Sequence, residues 1–240
     1  MPSSSSALKR ILKKDMKEIK NKKLSDLGIY ILFDEENMLK ATAMVAGPKD
    51  SLYEYGFLFF NITFPKNYPY APPDVSYISR NNIRIHPNLY VGRHSSGFGK
   101  VCLSILGTWS GPKWTSIMDI TTVLLSIQSL LDDNPLHHEP GQEKNTSYTN
   151  NLYNDIIKYE SLNTLLLKSY TATEGVFINF KKDMETEINK IGKSELIQYV
   201  KEFCLTRKDS NVIVPIYRIN TFLSYSSLSK NIEQLKENLI

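Results

Sequence analysis

The spacing of apolar positions changes character several times along the chain. Leu8, Ile11, Leu12, Met16 and Ile19 recur at helical spacing, so residues 7–23 predict an amphipathic helix. Its opposite face is basic, with Lys9, Arg10, Lys13, Lys14, Lys17 and Lys20, and Ser5 or Ser6 supplies a capping hydroxyl. From Gly28 onward the runs shorten and become β-rich, at 28–34, 39–46 and 55–64, with turn residues at 34–37 and 47–51. These predict an antiparallel meander. Pro65, Pro69, Pro72 and Pro73 follow within nine residues, with Tyr68 and Tyr70 among them. Such proline density excludes a helix or a central strand. It predicts a rigid connector leading to one more strand at 75–79.

Residues 81–115 lack a clean period and hold both tryptophans and five glycines, Gly92, Gly97, Gly99, Gly107 and Gly111. An irregular stretch this long inside a compact domain is usually functional or disordered. Residues 116–131 return to helix. Ser116 and Asp119 form a capping-box-like start. The apolar residues from Ile117 to Leu131 cover nearly the whole circumference, as a buried central helix requires. Asn134-Pro135 ends it. Beyond residue 145 the pattern is helical and more polar. It predicts a long helix through Leu152 and Leu166, a second from Val176 to Ile191 and a third around Val200. A break follows near Pro215, then a last short helix at 228–239.

Composition adds bounds rather than detail. The chain has 240 residues, 41% hydrophobic and 22% charged, which suits one well-buried domain with a sizeable extension. A net charge of +4 is too small to argue for a nucleic-acid partner. The first residues lack the apolar core of a signal peptide, and no run of about 18 apolar residues suits a membrane span. Two cysteines exclude a disulfide framework and fit a reducing compartment, cytoplasmic and/or nuclear. Cys204 falls on an amphipathic helical pattern and is expected to pack as a small apolar residue.

Candidate chemistry centres on Cys102. It lies among His86, His94, His137 and His138, all within 53 residues. Three chemistries use such a set. A metal site is disfavoured, because the single cysteine has no C-x-x-C or H-x-x-x-H partner spacing, and no metal or cofactor is expected. A Cys–His hydrolase would use a histidine to activate the thiol. Acyl transfer through a cysteine thioester needs neither a metal nor a tightly paired base. The plainest reading is one buried cysteine among structural histidines, and these residues alone leave all of these open.

The motifs narrow the choice. His86-Pro87-Asn88, then Gly99-Lys100-Val101-Cys102-Leu103-Ser104-Ile105-Leu106, then Trp114, resemble the catalytic core of the ubiquitin-conjugating enzymes. So do Phe64-Pro65, Tyr68-Pro69 and Pro72-Pro73, and the helix from Val123 to Leu131 followed by Asn134-Pro135. The resemblance covers roughly residues 7–168, and the order of elements agrees. The run from Cys102 to Trp114 and the stretch Asn134 to Gly141 are most similar to the Z-like subclass, which has a lengthened active-site region and a helical C-terminal extension. The resemblance implies an α+β UBC fold with an N-terminal helix, a four-stranded antiparallel meander, a buried central helix and a helical extension. It divides the chain into a core at 1–168 and an extension at 169–240.

It also implies roles. Cys102 would accept ubiquitin or a ubiquitin-like protein from an activating enzyme as a thioester and pass it to a substrate lysine, alone or with a ligase. Asn88 would order the loop or donate to the oxyanion, and His86 would pack. In place of the aspartate many members carry after Asn-Pro, His137 would position or deprotonate the acceptor amine, with His138 and Glu139 as substitutes; a neutral imidazole can take a proton near neutral pH. Lys9, Arg10, Lys13 and Lys14 would dock the activating enzyme. Tyr70, Thr115 and Ser116 would face a ligase, with Tyr70 where the family usually shows phenylalanine. The glycine- and serine-rich run 92–97 reads as a mobile loop beside the active site, either a plain variation in length or a device that screens acceptors. No nucleic-acid or membrane partner is implied. The alternative function is a non-catalytic scaffold of the same fold that binds ubiquitin or a ligase.

Overall fold

The computed structural model describes residues 4–92 and 98–238. The chain divides into two compact units, one built from 1–46, 58–82 and 88–131, the other from 47–57, 83–87 and 132–240.

The first unit begins with α1 (Ser4–Arg10) and α2 (Met16–Asn21), joined by a π-helical turn, Ile11–Asp15. The helix already includes Ser5 and Ser6, so neither sits at its cap as the sequence suggested. Ala7, Ile11 and Asp15 form the buried stripe, while Leu12 and Met16 lie exposed. The apolar face is therefore one residue away from the one that simple periodicity selects. The cause is Asp15, whose carboxylate accepts hydrogen bonds from the Tyr68 hydroxyl and from the Ile120 N–H at 3.0 Å, with Arg10 Nε 3.5 Å away. Burial raises the Asp15 carboxyl above its ordinary range, more than Tyr68, Ile120 and Arg10 together lower it.

The sheet follows as β1 (Ile29–Phe33), β2 (Lys40–Ala46), β3 (Phe57–Thr63), β4 (Asp74–Ile78) and β5 (Phe98–Lys100), in that spatial order. β1 pairs antiparallel with β2 from Ile29↔Val45 to Phe33↔Ala41, and β3 pairs antiparallel with β4 from Phe60↔Tyr77 to Thr63↔Asp74. Asp34 closes the β1–β2 turn by accepting the N–H groups of Glu36 and Asn37 at 2.9 and 2.8 Å. The sheet thus has the expected meander plus a fifth strand. β5 is too short to read from periodicity; it pairs with β4 at Ser76↔Lys100, Tyr77↔Gly99 and Ile78↔Phe98.

The central helix α3 (Ile120–Leu130) starts later than expected. Its N-cap is Asp119, not Ser116, and accepts the Thr122 N–H at 3.1 Å. Only one face is buried, with Ile120, Thr121, Val123, Leu124 and Ile127 inside, so α3 is not apolar-packed all round. Ile117 and Ser116 precede it in a turn, and Ile117 is 77% exposed.

The second unit is mostly helical. It holds α4 (Tyr148–Glu160), which runs on into a π-helical segment, Ser161–Lys168, then α5 (Val176–Asn179), α6 (Lys181–Ile191) and α7 (Lys193–Leu205). The break around Pro215 is the turn of a hairpin, β6 (Ser210–Val214) and β7 (Ile219–Leu223), and α8 (Tyr225–Asn238) closes the chain. Its core is continuous in type, with Ile156, Leu162, Leu166, Phe180, Met184, Ile188, Val200, Leu228 and Ile232 buried. Each such side chain stabilises the unit by roughly 1.5–3 kcal/mol relative to an exposed one. Cys204 is buried on α7, and burial pushes its thiol up to about 11, so it behaves as a packed apolar group. No helix among the described residues is long and apolar enough to cross a membrane.

Candidate active site

β5 delivers the chain to Cys102. Lys100 carbonyl accepts the Tyr90 N–H at 3.0 Å, Leu89 bridges Val101, and the Cys102 N–H reaches the Asn88 carbonyl at 2.8 Å. Two short segments, 88–90 and 100–102, therefore run as a miniature antiparallel ladder. Gly99 makes that approach possible: a Cβ there would lie 1.5 Å from the Tyr90 carbonyl oxygen. The Asn88 side chain adds a further rung, its Nδ2 donating to the Cys102 carbonyl at 2.7 Å. Asn88 is buried, and Cys102 is only 3% exposed and forms no disulfide.

Thr108 secures the other side of the cysteine and was not singled out from sequence. Its hydroxyl donates to the Val101 carbonyl at 2.7 Å and accepts from the Leu103 N–H at 2.9 Å, so one side chain bridges both neighbours of Cys102. The short turn Ser104–Leu106 and Gly107, at φ 71°, fold Thr108 back to that place. Further on, Trp114 Nε1 donates to the Pro69 carbonyl at 2.7 Å and its ring lies 6.0 Å from Tyr68. That leaves Tyr70, 74% exposed, with Thr115, Ser116 and Ile117 exposed as well.

Of the four residues expected to dock an activating enzyme, Lys9 and Lys13 are exposed. Arg10 donates to the Met118 carbonyl at 2.8 Å and Lys14 to the Ile117 carbonyl at 2.9 Å, so both also tie the N-terminal helix to the turn before α3.

The remaining predicted residues lie in the second unit. His86 is fully buried, its ring 6.2 Å from Tyr53 and 5.0 Å from His138. His138 Nε2 sits 2.8 Å from Asp132 Oδ2. Burial alone would raise the Asp132 carboxyl, but the His138 ring and the Asn134 N–H outweigh it and hold the group below its ordinary value. His137 and His138 occupy a single helical turn, Pro135–His138. His137 Nε2 lies 3.0 Å from the Asn145 carbonyl oxygen, which can only accept. Nε2 therefore carries the proton, and in the neutral ring the lone pair is on Nδ1. Glu139 accepts a hydrogen bond from the Tyr217 hydroxyl. The structure thus brings Cys102 and Asn88 together in one unit, and His86, His138 and Asp132 together in the other. His94 and the run 93–97 lie outside the described residues. Among the described residues no group of three or more His, Cys, Asp or Glu side chains is placed to hold a metal ion.

A family model described as ubiquitin-conjugating enzyme matches residues 11–161. The ubiquitin-conjugating enzyme E2 Z of Danio rerio is 43% identical over 139 residues, covering 56% of this chain and 40% of its own length. The Homo sapiens E2 Z is 42% identical over 139 residues, covering 56% and 37%. The chain thus spans about two fifths of the length of these relatives. Among solved structures, the E2 domain of a Toxoplasma gondii ubiquitin conjugating enzyme aligns over 61% of this chain and 93% of its own, at 27% identity and a TM-score of 0.45.

Proposed function

The chain belongs to the ubiquitin-conjugating enzyme family, and on that footing we propose that it carries ubiquitin or a ubiquitin-like protein as a thioester on Cys102. In charging, the Cys102 thiolate attacks the carbonyl that joins the modifier's C-terminus to the activating enzyme's cysteine. The new C–S bond forms as the old one breaks, and the activating enzyme's cysteine leaves as its thiolate. In transfer, a lysine amine attacks the Cys102 thioester through a tetrahedral oxyanion. The C–S bond then breaks, the isopeptide bond remains and Cys102 departs as thiolate.

The observation that carries this reading is the doubly hydrogen-bonded pair Asn88 and Cys102, within the stretch the family model matches. A carboxamide has two N–H donors. The bond from Nδ2 to the Cys102 carbonyl holds Asn88 beside the cysteine, and its carboxamide is assigned to the oxyanion. The loss of such a donor costs about 10²–10³ in rate. His137 is assigned to the acceptor amine. What supports it is its hydrogen bond to the Asn145 carbonyl, which makes Nδ1 the basic atom. His138 and Glu139 position that turn and His86 packs beneath His138. Lys9 and Lys13, with Arg10 and Lys14, receive the activating enzyme, and Tyr70, Thr115, Ser116 and the exposed Ile117 receive a ligase. The conjugating core is assigned to 1–168, with 169–240 as its extension.

Transfer of modifier from a purified thioester to free lysine tests the assignment of His137. His137→Ala is expected to slow discharge by about 10²–10⁴, and discharge at the wild-type rate rules His137 out.

A further inference from the structure

The β6–β7 hairpin has no assigned purpose. Its outer face is solvent-exposed, with Ile213 and Phe222 more than half exposed, so it buries little apolar surface there. Its four-residue turn is costly. Tyr217 and Arg218 both adopt left-handed backbone, at φ 57° and 53°, although neither is glycine. Each such residue is strained, and the conformation persists only where surrounding contacts enforce it.

Tyr217 makes several contacts at this tip. Its hydroxyl donates to the Glu139 carboxylate. Its ring carries the Arg84 guanidinium, 4.3 Å from the centroid, and lies 5.8 Å from the Tyr153 ring. Arg84 in turn donates to the Pro87 carbonyl, and the Tyr153 hydroxyl donates to the Arg84 carbonyl at 2.8 Å. One phenol ring therefore grips two separate segments. The first is 84–87, which holds His86 and runs directly into Asn88. The second ends at Glu139, next to His138 and two residues from His137. Between these segments the His86 and His138 rings lie 5.0 Å apart.

We propose that Tyr217 is a positioning residue for transfer: the left-handed hairpin tip holds its ring against Arg84 and its hydroxyl against Glu139, and so fixes the His137–Glu139 turn and the segment leading to Asn88. The inference deepens the assignment of His137 and Asn88 and rests on it. The hydroxyl and the ring do separable work. Tyr217→Phe keeps the stack on Arg84 and frees Glu139, whereas Tyr217→Ala loses both.

The full chain is compared as wild type, Tyr217→Phe, Glu139→Gln and the double variant, with Ile213→Thr as a control on the exposed face of the same hairpin. Hydrogen exchange is read at the His137 and Glu139 amides, which donate to Asn134 and Leu136 at 2.9 and 3.0 Å. Discharge of the purified thioester to free lysine is followed across pH. Tyr217→Phe is expected to speed exchange at both amides, to slow discharge about tenfold and to shift the pH profile of discharge. Glu139→Gln is expected to do the same, and the double variant no more than either alone. Ile213→Thr leaves all three readouts unchanged. Unchanged exchange in Tyr217→Phe overturns the proposal, as does faster exchange with wild-type discharge, or losses that multiply in the double variant. A wild-type chain that forms no thioester defeats the thioester reading instead, and the exchange data still decide whether Tyr217 holds the turn.

Discussion

Thr108 shows how much of the arrangement at Cys102 is made by residues that carry no chemistry. Its hydroxyl joins the backbone on both sides of the cysteine. Thr108→Val keeps the shape but strands a part-buried N–H and carbonyl, at a cost of about 1–3 kcal/mol. The variant is expected to lower thermal stability and to slow both charging and discharge, while Thr108→Ser restores both; equal rates in all three proteins would show the bridge to be idle. The motif cysteine and asparagine were legible in the sequence because their neighbours are distinctive. Thr108 was not, since its role depends on a fold-back at Gly107 that local pattern does not announce. Asp15 was hidden for a similar reason. A carboxylate on a buried stripe is legible only once its donors, Tyr68 and Ile120, are in place from 53 and 105 residues away.

At the scale of elements, the N-terminal helix and α3 each invite a test. Charge on Lys9 and Lys13 is exposed, so Lys9→Glu with Lys13→Glu is expected to slow charging without altering the melting temperature. The deficit should shrink as salt rises, because the screening length falls from about 10 Å at 0.1 M to about 3 Å at 1 M. Arg10→Glu should slow charging and also destabilise the fold, since Arg10 holds the Met118 carbonyl and faces buried Asp15. For α3, burial would raise the Asp119 carboxyl, but Thr121, Thr122 and Lys22 overcome it and hold the group low. A carboxylate with a lowered folded pKa contributes stability that is complete above the unfolded value, about 3.9, and is lost as pH falls through the folded value. Asp119→Ala should therefore cost about 1 kcal/mol at pH 7, and urea melts should show the gap closing under strong acid. A gap that stays constant with pH would mean that the cap acts without its charge. Strands β1 to β4 were legible because short β-rich runs bounded by turn residues and prolines mark them. β5 escaped notice because three residues have no period, and its pairing rests on β4 and on the missing side chain of Gly99.

At the scale of the whole molecule, the chain carries family features through residue 161 and a further helical stretch with a hairpin beyond. Helical periodicity made that stretch readable as helices. The hairpin was readable only as an interruption, because strands of five residues around Pro215 gain their identity from pairing with each other. Whether Cys102 carries the modifier is read in a charging reaction with activating enzyme, ATP and ubiquitin, resolved on a non-reducing gel, with ubiquitin-like modifiers in parallel lanes. An adduct with one of these modifiers is expected, lost on adding a thiol reductant and absent from Cys102→Ala. No adduct with any of them, or one that survives in Cys102→Ala, would contradict that role of Cys102.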